Sequence, residues 1–263
     1  MKSNPSDLPA DLAQSLARAR SRFVRLGSRI EFFPAIGSTN DEAAARGGEG
    51  TIVIADQQTA GRGRRGHTWF SPPGSGLYVS VVVTPSRARV EPQRATTLLT
   101  LAAGVAVAEG IQSAAALHVD LKWPNDLFVA RRKLGGILAE AADGEVVLGY
   151  GINVRTTAYP PELGDRATAV ETELGRPVER DVILVETLAA LDRRYVDLLD
   201  GRFDAILDAW RARAPAAVGA RVEWATSTGT RCGVTNGIDS EGALMVRIGD
   251  RSERIVSGEL TWI

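Results

Sequence analysis

Apolar and polar positions alternate with a period that changes along the chain, and the changes mark its elements. Residues 8–26, LPADLAQSLARARSRFVRL, carry apolar side chains at helical spacing, with Asp11 near the start and arginines towards the end, an order that complements a helix dipole. Ser38 and Thr39 supply a cap signal ahead of a short alanine-rich helix that Gly47 and Gly48 stop. GTIVIADQQ (50–58) and GLYVSVVVTP (76–85) are β-branched runs and predict strands. Residues 94–114 are apolar nearly all round, which predicts a buried helix. LHVDLKW, DLFVA, KLGGILAEA and EVVLGYGINV follow, separated by turns short enough to predict antiparallel neighbours. Two amphipathic helices are predicted over 181–201 and 202–214.

The texture changes near Pro215. From Gly219 to Ile263 the chain is a series of short strand-like pieces broken by turns, the pattern of a small β-barrel or β-roll. A domain boundary is expected at 214–218, giving an N-terminal helical segment (1–29), a larger domain (30–214) and a small all-β domain (215–263).

Composition narrows the classes. The 263 residues are 44% apolar and 24% charged, an ordinary globular mix, with a net charge of −1. A duplex-DNA binder usually carries a broad basic face, and this balance hints at none. One cysteine, Cys232, rules out an intrachain disulfide, and two histidines, His67 and His118, are too few for a histidine metal site. No apolar run approaches the roughly 18 residues that span a bilayer, and the N-terminus has no signal-peptide core. The expectation is a soluble cytoplasmic protein that engages neither membrane nor DNA.

Against that neutral background, GRGRRGHTW (61–69) concentrates glycines and arginines ahead of a tryptophan. Glycines free backbone N–H groups and allow close approach, while guanidinium forks suit phosphates and carboxylates. Taken alone, it is also what a solvated basic turn looks like. KWPND (122–126) reads equally as plain turn chemistry or as Asn125 and Asp126 given fixed directions at a sheet mouth. KLGGIL brings Lys133 to the head of a strand and then Gly135 and Gly136, and GYGINV repeats the glycine device at Gly149 and Gly151 before Asn153. Two glycine pairs on neighbouring strands suggest a flat surface kept clear for a ligand. Neither fits the Walker A or dinucleotide spacing. Cys232 is read as a small core residue, His118 as a structural strand residue, and Trp210, Trp224 and Trp262 as packing.

Together, STN (38–40), QTAGRGRRG (58–66), KWPND, KLGGIL (133–138) and GYGINV (149–154) resemble, in order and spacing, the biotin protein ligases, from about residue 30 to the C-terminus. The resemblance implies an α+β fold: a mixed, mainly antiparallel curved sheet with packed helices as the biotin- and ATP-binding catalytic domain, plus an SH3-like C-terminal domain. It implies two steps: biotin and Mg·ATP give biotinoyl-5′-adenylate, then a lysine of a biotin carboxyl carrier domain takes the acyl group. Biotin, ATP and Mg²⁺ are thus the expected substrates and cofactors, with the metal carried by ATP and no protein metal ligands. Lys133, Arg64, Arg62 and Asp126 match the catalytic positions, with Asp126 either deprotonating the incoming lysine or orienting a partner. Ser38, Thr39, Asn40, Gln58, Gly61, Arg62, Gly63, Arg64, Lys133, Gly136, Gly149 and Gly151 match the biotin contacts. Arg62, Arg64, Arg65, Trp69, Asn125, Lys133 and Asn153 match the adenylate side, with Trp69 stacking adenine.

Two departures stand out. His67 occupies a position where many members carry Arg, which removes a fixed charge or makes it pH-dependent. Fewer than 40 residues precede STN, too few for the winged helix-turn-helix of the family's repressors, so operator binding is not expected. A lipoate or octanoate transferase of the same fold is disfavoured by the GRGRRG–KWPND pair, and a non-catalytic biotin-sensing module by the presence of all the anion-handling residues. A homodimer is left open.

Overall fold

Strand alternation sets two unlike faces on the larger sheet, and the site occupies one of them. The computed structural model describes residues 5–226, 229–258 and 260–263. In chain order the elements are α1 (Ala10–Ala19), β1 (Arg29–Phe33), α2 (Thr39–Arg46), β2 (Thr51–Ala55), β3 (Gly76–Val83), α3 (Pro92–Ala115), β4 (Asp120–Lys122), β5 (Asp126–Val129), β6 (Arg132–Ala142), β7 (Glu145–Asn153), α4 (Val170–Leu174), α5 (Arg180–Leu199), α6 (Phe203–Ala212), β8 (Val218–Thr226), β9 (Gly229–Ile238), β10 (Leu244–Ile248), β11 (Arg251–Ile255) and β12 (Leu260–Trp262).

The first sheet has the order β1-β2-β3-β7-β6-β5-β4. Only β1 and β2 pair in parallel, joined through α2, and every other neighbour is antiparallel. Two-residue turns make the β5–β6 and β6–β7 hairpins. Ala130 and Arg131 join β5 to β6, Asp143 and Gly144 join β6 to β7, and all four have positive φ, as a twist-matched hairpin turn requires. On one face Val79, Val81, Leu148, Tyr150 and Ile152 pack into the main core with α1, α3, α5 and α6. The other face carries a smaller cluster, including Phe33, Ala43, Val53 and Val82, beneath α2.

The C-terminal strands form a separate antiparallel sheet, β11-β10-β9-β8-β12. It is tied to the first sheet by Trp123, between β4 and β5, whose Nε1 donates to Gly242 O at 2.9 Å. A second tie is Trp262, packed 5.0 Å from Phe128 and approached by the cations of Lys122 and Arg131 at 4.6 and 5.2 Å.

Several expectations need correction. The helix predicted over 8–26 ends at Ala19, followed by a 3-10 turn at Arg20–Arg22. The N–H groups of Val24, Arg25 and Leu26 are claimed by the buried Asp192 carboxylate at 2.9, 2.8 and 2.6 Å, so they are not available to a helix. Strand β1 and the short helix α4 were not predicted. Cys232 is exposed on β9 and is no core residue, because the first four residues of that strand, Gly229 to Cys232, all face solvent. His118 lies before β4, exposed, 3.3 Å from Asp120. Helix α3, with 24 residues, is long and apolar enough to cross a membrane, yet 72% of its most apolar window is buried within the protein.

Candidate active site

The site forms where three strands turn small or polar residues away from the main core. Pairing places Ser80, Gly149 and Leu138 in one row across β3, β7 and β6, and Tyr78, Gly151 and Gly136 in the next. Period-two alternation points each row to the α2 face. Above these rows lies a cavity of about 490 Å³, walled by α2, the 62–70 segment, the KWPND turn, the 158–167 segment and the C-terminal Gly258 and Leu260. Ser38, Thr39, Asn40, Gln58, Arg62, Gly63, Arg64, Arg65, Trp69, Asn125, Asp126, Lys133, Gly136, Gly149, Gly151 and Asn153 all line it. Gly61 does not. It is buried beneath the loop, where a Cβ would stand 2.5 Å from Trp69 O.

The glycine rows are not bare. A Cβ on Gly149 would meet Asn40 Oδ1 at 2.2 Å, and one on Gly151 would meet Trp69 Nε1 at 2.5 Å. The glycines admit two of the protein's own side chains, so the expected open floor holds Asn40 at one end and Trp69 at the other. The Trp69 Nε1–H is buried with no hydrogen-bond partner among the described residues.

At the Asn40 end, a polar chain fixes each group. Gln58 Oε1 accepts from Thr39 N and Oγ1 at 2.8 and 3.0 Å, and Gln58 Nε2 donates to Ser71 Oγ at 3.0 Å. Ser80 Oγ lies 2.8 Å from Thr39 Oγ1 and 2.6 Å from Asn40 Oδ1, and Asn40 Nδ2 donates to Glu140 Oε2 at 2.6 Å. Ser38, Thr39 and Asn40 are each buried at the start of α2. Hydroxyls and amides held this way suit a small polar ring.

At the other end stands Lys133. Its N–H donates to Arg166 O at 2.8 Å and its carbonyl accepts from Thr168 N at 2.9 Å, so the backbone is locked on both sides. Its Nζ is 2.7 Å from Asp126 Oδ1 and 5.6 Å above the Trp69 ring, and the side chain is a third exposed, into the cavity. Asn125 is part of the frame: its Nδ2 donates to Ile137 O at 2.8 Å and its Oδ1 accepts from Arg64 at 3.2 Å. The buried Asn153 donates to Thr168 O at 3.0 Å.

The 61–69 loop is a small hairpin. Trp69 N bonds Gly61 O at 2.9 Å and Gly63 N bonds His67 O at 2.7 Å, with Arg65 and Gly66 at positive φ at its tip. Arg64 also reaches Gly258 O at 3.4 Å, which joins the loop to the segment ahead of β12. Arg62 is held by Asp41 and Glu140, and those hydrogen bonds raise its pKa still further.

Sequence reasoning missed Glu140, Ser80, Asp41 and the wall residues Trp123, Tyr159 and Leu260. Two of them left a signal. Ser80 is the one small polar residue in the apolar run GLYVSVVV, and Glu140 continues the alternation Gly136, Leu138 along β6. Among the described residues no three His, Cys, Asp or Glu side chains gather to hold a metal.

The chain is similar to known proteins. A model of the biotin/lipoate A/B protein ligase family matches residues 35–156. The bifunctional ligase/repressor BirA of Bacillus spizizenii is 34% identical over 263 residues, covering 96% of this chain and 79% of that one. The biotin–[acetyl-CoA-carboxylase] ligase of Mycobacterium tuberculosis is 33% identical over 254 residues, covering 92% of each. A structure of the Aquifex aeolicus biotin protein ligase in complex with biotin and ATP superposes with a TM-score of 0.76 at 26% identity, over 90% of this chain and 99% of that one.

Proposed function

The chain belongs to the biotin protein ligases of the biotin/lipoate A/B protein ligase family, and on that premise we propose how its own residues divide the work of joining biotin to a biotin carboxyl carrier domain. It is an ATP-dependent ligase. In the first step a biotin carboxylate oxygen attacks the α-phosphorus of ATP, and the bond to pyrophosphate breaks. In the second, the amine of a carrier lysine attacks the acyl carbon, loses a proton, and AMP leaves.

The observation that carries the assignment of residues is the placement of Lys133. Its ammonium shares one cavity with the polar Ser38–Asn40 end and with the Trp69–Asn125–Asn153 end. The first step brings two anions together, and a fixed cation in the cavity they share lowers the repulsion. Ser38, Thr39, Asn40 and Gln58 take the ureido ring. Lys133 takes the carboxylate and the α-phosphate, and Arg64 and Arg65 face the remaining phosphates. Trp69, Asn125 and Asn153 form the adenylate end. Asp126, at 2.7 Å from Lys133, orients that ammonium, which favours the orienting role over the deprotonating one. The magnesium belongs to the Mg·ATP substrate.

The C-terminal sheet is read as an SH3-like domain that closes the site. Leu260 and Gly258 in the cavity wall and the Arg64–Gly258 contact support this. Pyrophosphate release from Mg·ATP, with biotin against lipoate as the acid, tests the reading. Release with biotin and none with lipoate is expected, and release with lipoate at an equal rate refutes the biotin assignment.

A further inference from the structure

Arg62 is the residue whose surroundings least fit a phosphate contact. Both terminal nitrogens are occupied: Nη1 is 2.6 Å from Asp41 Oδ1 and Nη2 is 3.0 Å from Glu140 Oε2. Two carboxylates about one guanidinium leave a local excess of negative charge, which repels an approaching anion. Arg64, two residues further along the hairpin, reaches an amide oxygen of the KWPND turn and the carbonyl of Gly258.

The same Glu140 oxygen also accepts from Asn40 Nδ2 at 2.6 Å, while Ser80 Oγ lies 2.6 Å from Asn40 Oδ1. The Asn40 amide is therefore oriented by chemistry: its oxygen faces a hydroxyl and its nitrogen faces a carboxylate. Glu140 thus joins three elements at one atom, namely its own strand β6, the start of α2 through Asn40, and the 61–69 loop through Arg62.

We infer that Arg62 is the anchor of the loop, and that Glu140 with Asp41 positions both that anchor and Asn40 at the ureido end of the cavity. Glu140 touches no reacting atom. It acts through Arg62 and Asn40, and it governs biotin binding in preference to phosphate binding. This rests on the ligase reading for its substrate, and on the contacts alone for the loop.

Two measurements on the full chain test it. In the first, E140Q, E140D, R62A and the R62A/E140Q double variant are compared with the parent by biotin-dependent pyrophosphate release. E140Q should raise the KM for biotin about tenfold, the scale of one lost charged hydrogen bond. The kcat and the KM for Mg·ATP should stay within about twofold, E140D should recover most of the loss, and the R62A and E140Q losses should fall short of additive, as for groups acting through one contact. An unchanged biotin KM, strictly additive losses, or a rise confined to the Mg·ATP KM would overturn the inference. The second measurement needs no turnover: tryptic cleavage after Arg64 and Arg65 in the ligand-free protein, followed by mass spectrometry. It should be about tenfold faster in E140Q, in line with easier local opening, and equal rates overturn the anchor. A parent chain inactive with biotin would sink the ligase reading and leave this second result to decide the loop.

Discussion

Replacing Gly149 by alanine should damage biotin binding in a way the coordinates define. Gly149 and Gly151 both have ordinary extended backbones, so alanine is penalised there only by what its methyl group meets. At 149 that is Asn40 Oδ1 at 2.2 Å and Cγ at 3.0 Å. Real Cβ contacts essentially never fall below 3.0 Å, so the amide must retreat by about 0.8 Å. Asn40 is 5% exposed and held by Ser80 and Glu140, so the retreat breaks at least one of those bonds. A lost bond costs about 1 kcal/mol and overpacking about 1–3 kcal/mol. Together they predict a fall in Tm on the order of 5–10 °C for a chain of this size. Thermal unfolding and the separate KM values for biotin and Mg·ATP are the assay. The biotin KM should rise while the Mg·ATP KM holds. Gly151→Ala, which meets Trp69 Nε1 at 2.5 Å, should show the reverse pattern. A Gly149→Ala protein with the parent Tm and biotin KM would refute the reasoning that the glycine exists to admit Asn40.

Lys133→Ala should lose pyrophosphate release by at least about a hundredfold, the scale of a missing charge-stabilising donor. It should lose little stability, because a partly exposed pair of this kind contributes about 0–1 kcal/mol, and near-normal adenylate synthesis would remove Lys133 from the chemistry. Arg64→Gly should release the adenylate to solvent, read as biotin-dependent ATP consumption that outruns carrier modification, and an unchanged adenylate off-rate would exclude the loop from retention. Glu186 is held below its ordinary value of 4.5 by hydrogen bonds from Arg22. Its contribution is present above that value and lost as pH falls through the lowered one, so Glu186→Gln should flatten the acid limb of the stability curve. An acid limb identical to the parent's would show that the pair adds nothing.

Much of the larger sheet was legible because its signals are local. The two-residue turns and the β-branched runs announce β3 and β5 to β7, and the all-round apolar run announces α3. Strand β1 was not legible: RIEFF carries charge at two of five positions, and only its parallel pairing with β2 makes it a strand. The early end of α1 was hidden for a similar reason, since the carboxylate that takes its would-be helical N–H groups lies more than 160 residues away. In the site, the residues matched to catalysis, biotin and adenylate line one cavity, with Gly61 alone of them outside the lining. What the motifs could not show is which of the protein's own groups occupy them. Asn40 and Trp69 fill the space over the glycines, and Asp41 and Glu140 take both ends of Arg62. Those partners come from α2, β6 and the loop, and only the folded register brings them to one point. The same holds for Leu260, which reaches the cavity from the last strand.

The central claim is that this cavity activates biotin and hands it to a carrier lysine. The most direct measurement is intact-mass and peptide-mapping mass spectrometry of a purified biotin carboxyl carrier domain incubated with the protein, biotin and Mg·ATP, with Lys133→Ala run in parallel. The account predicts one biotinoyl group on one lysine, formed only with ATP and lost in the variant. A carrier left unmodified while the parent protein binds biotin, or one modified equally by the variant, would contradict it.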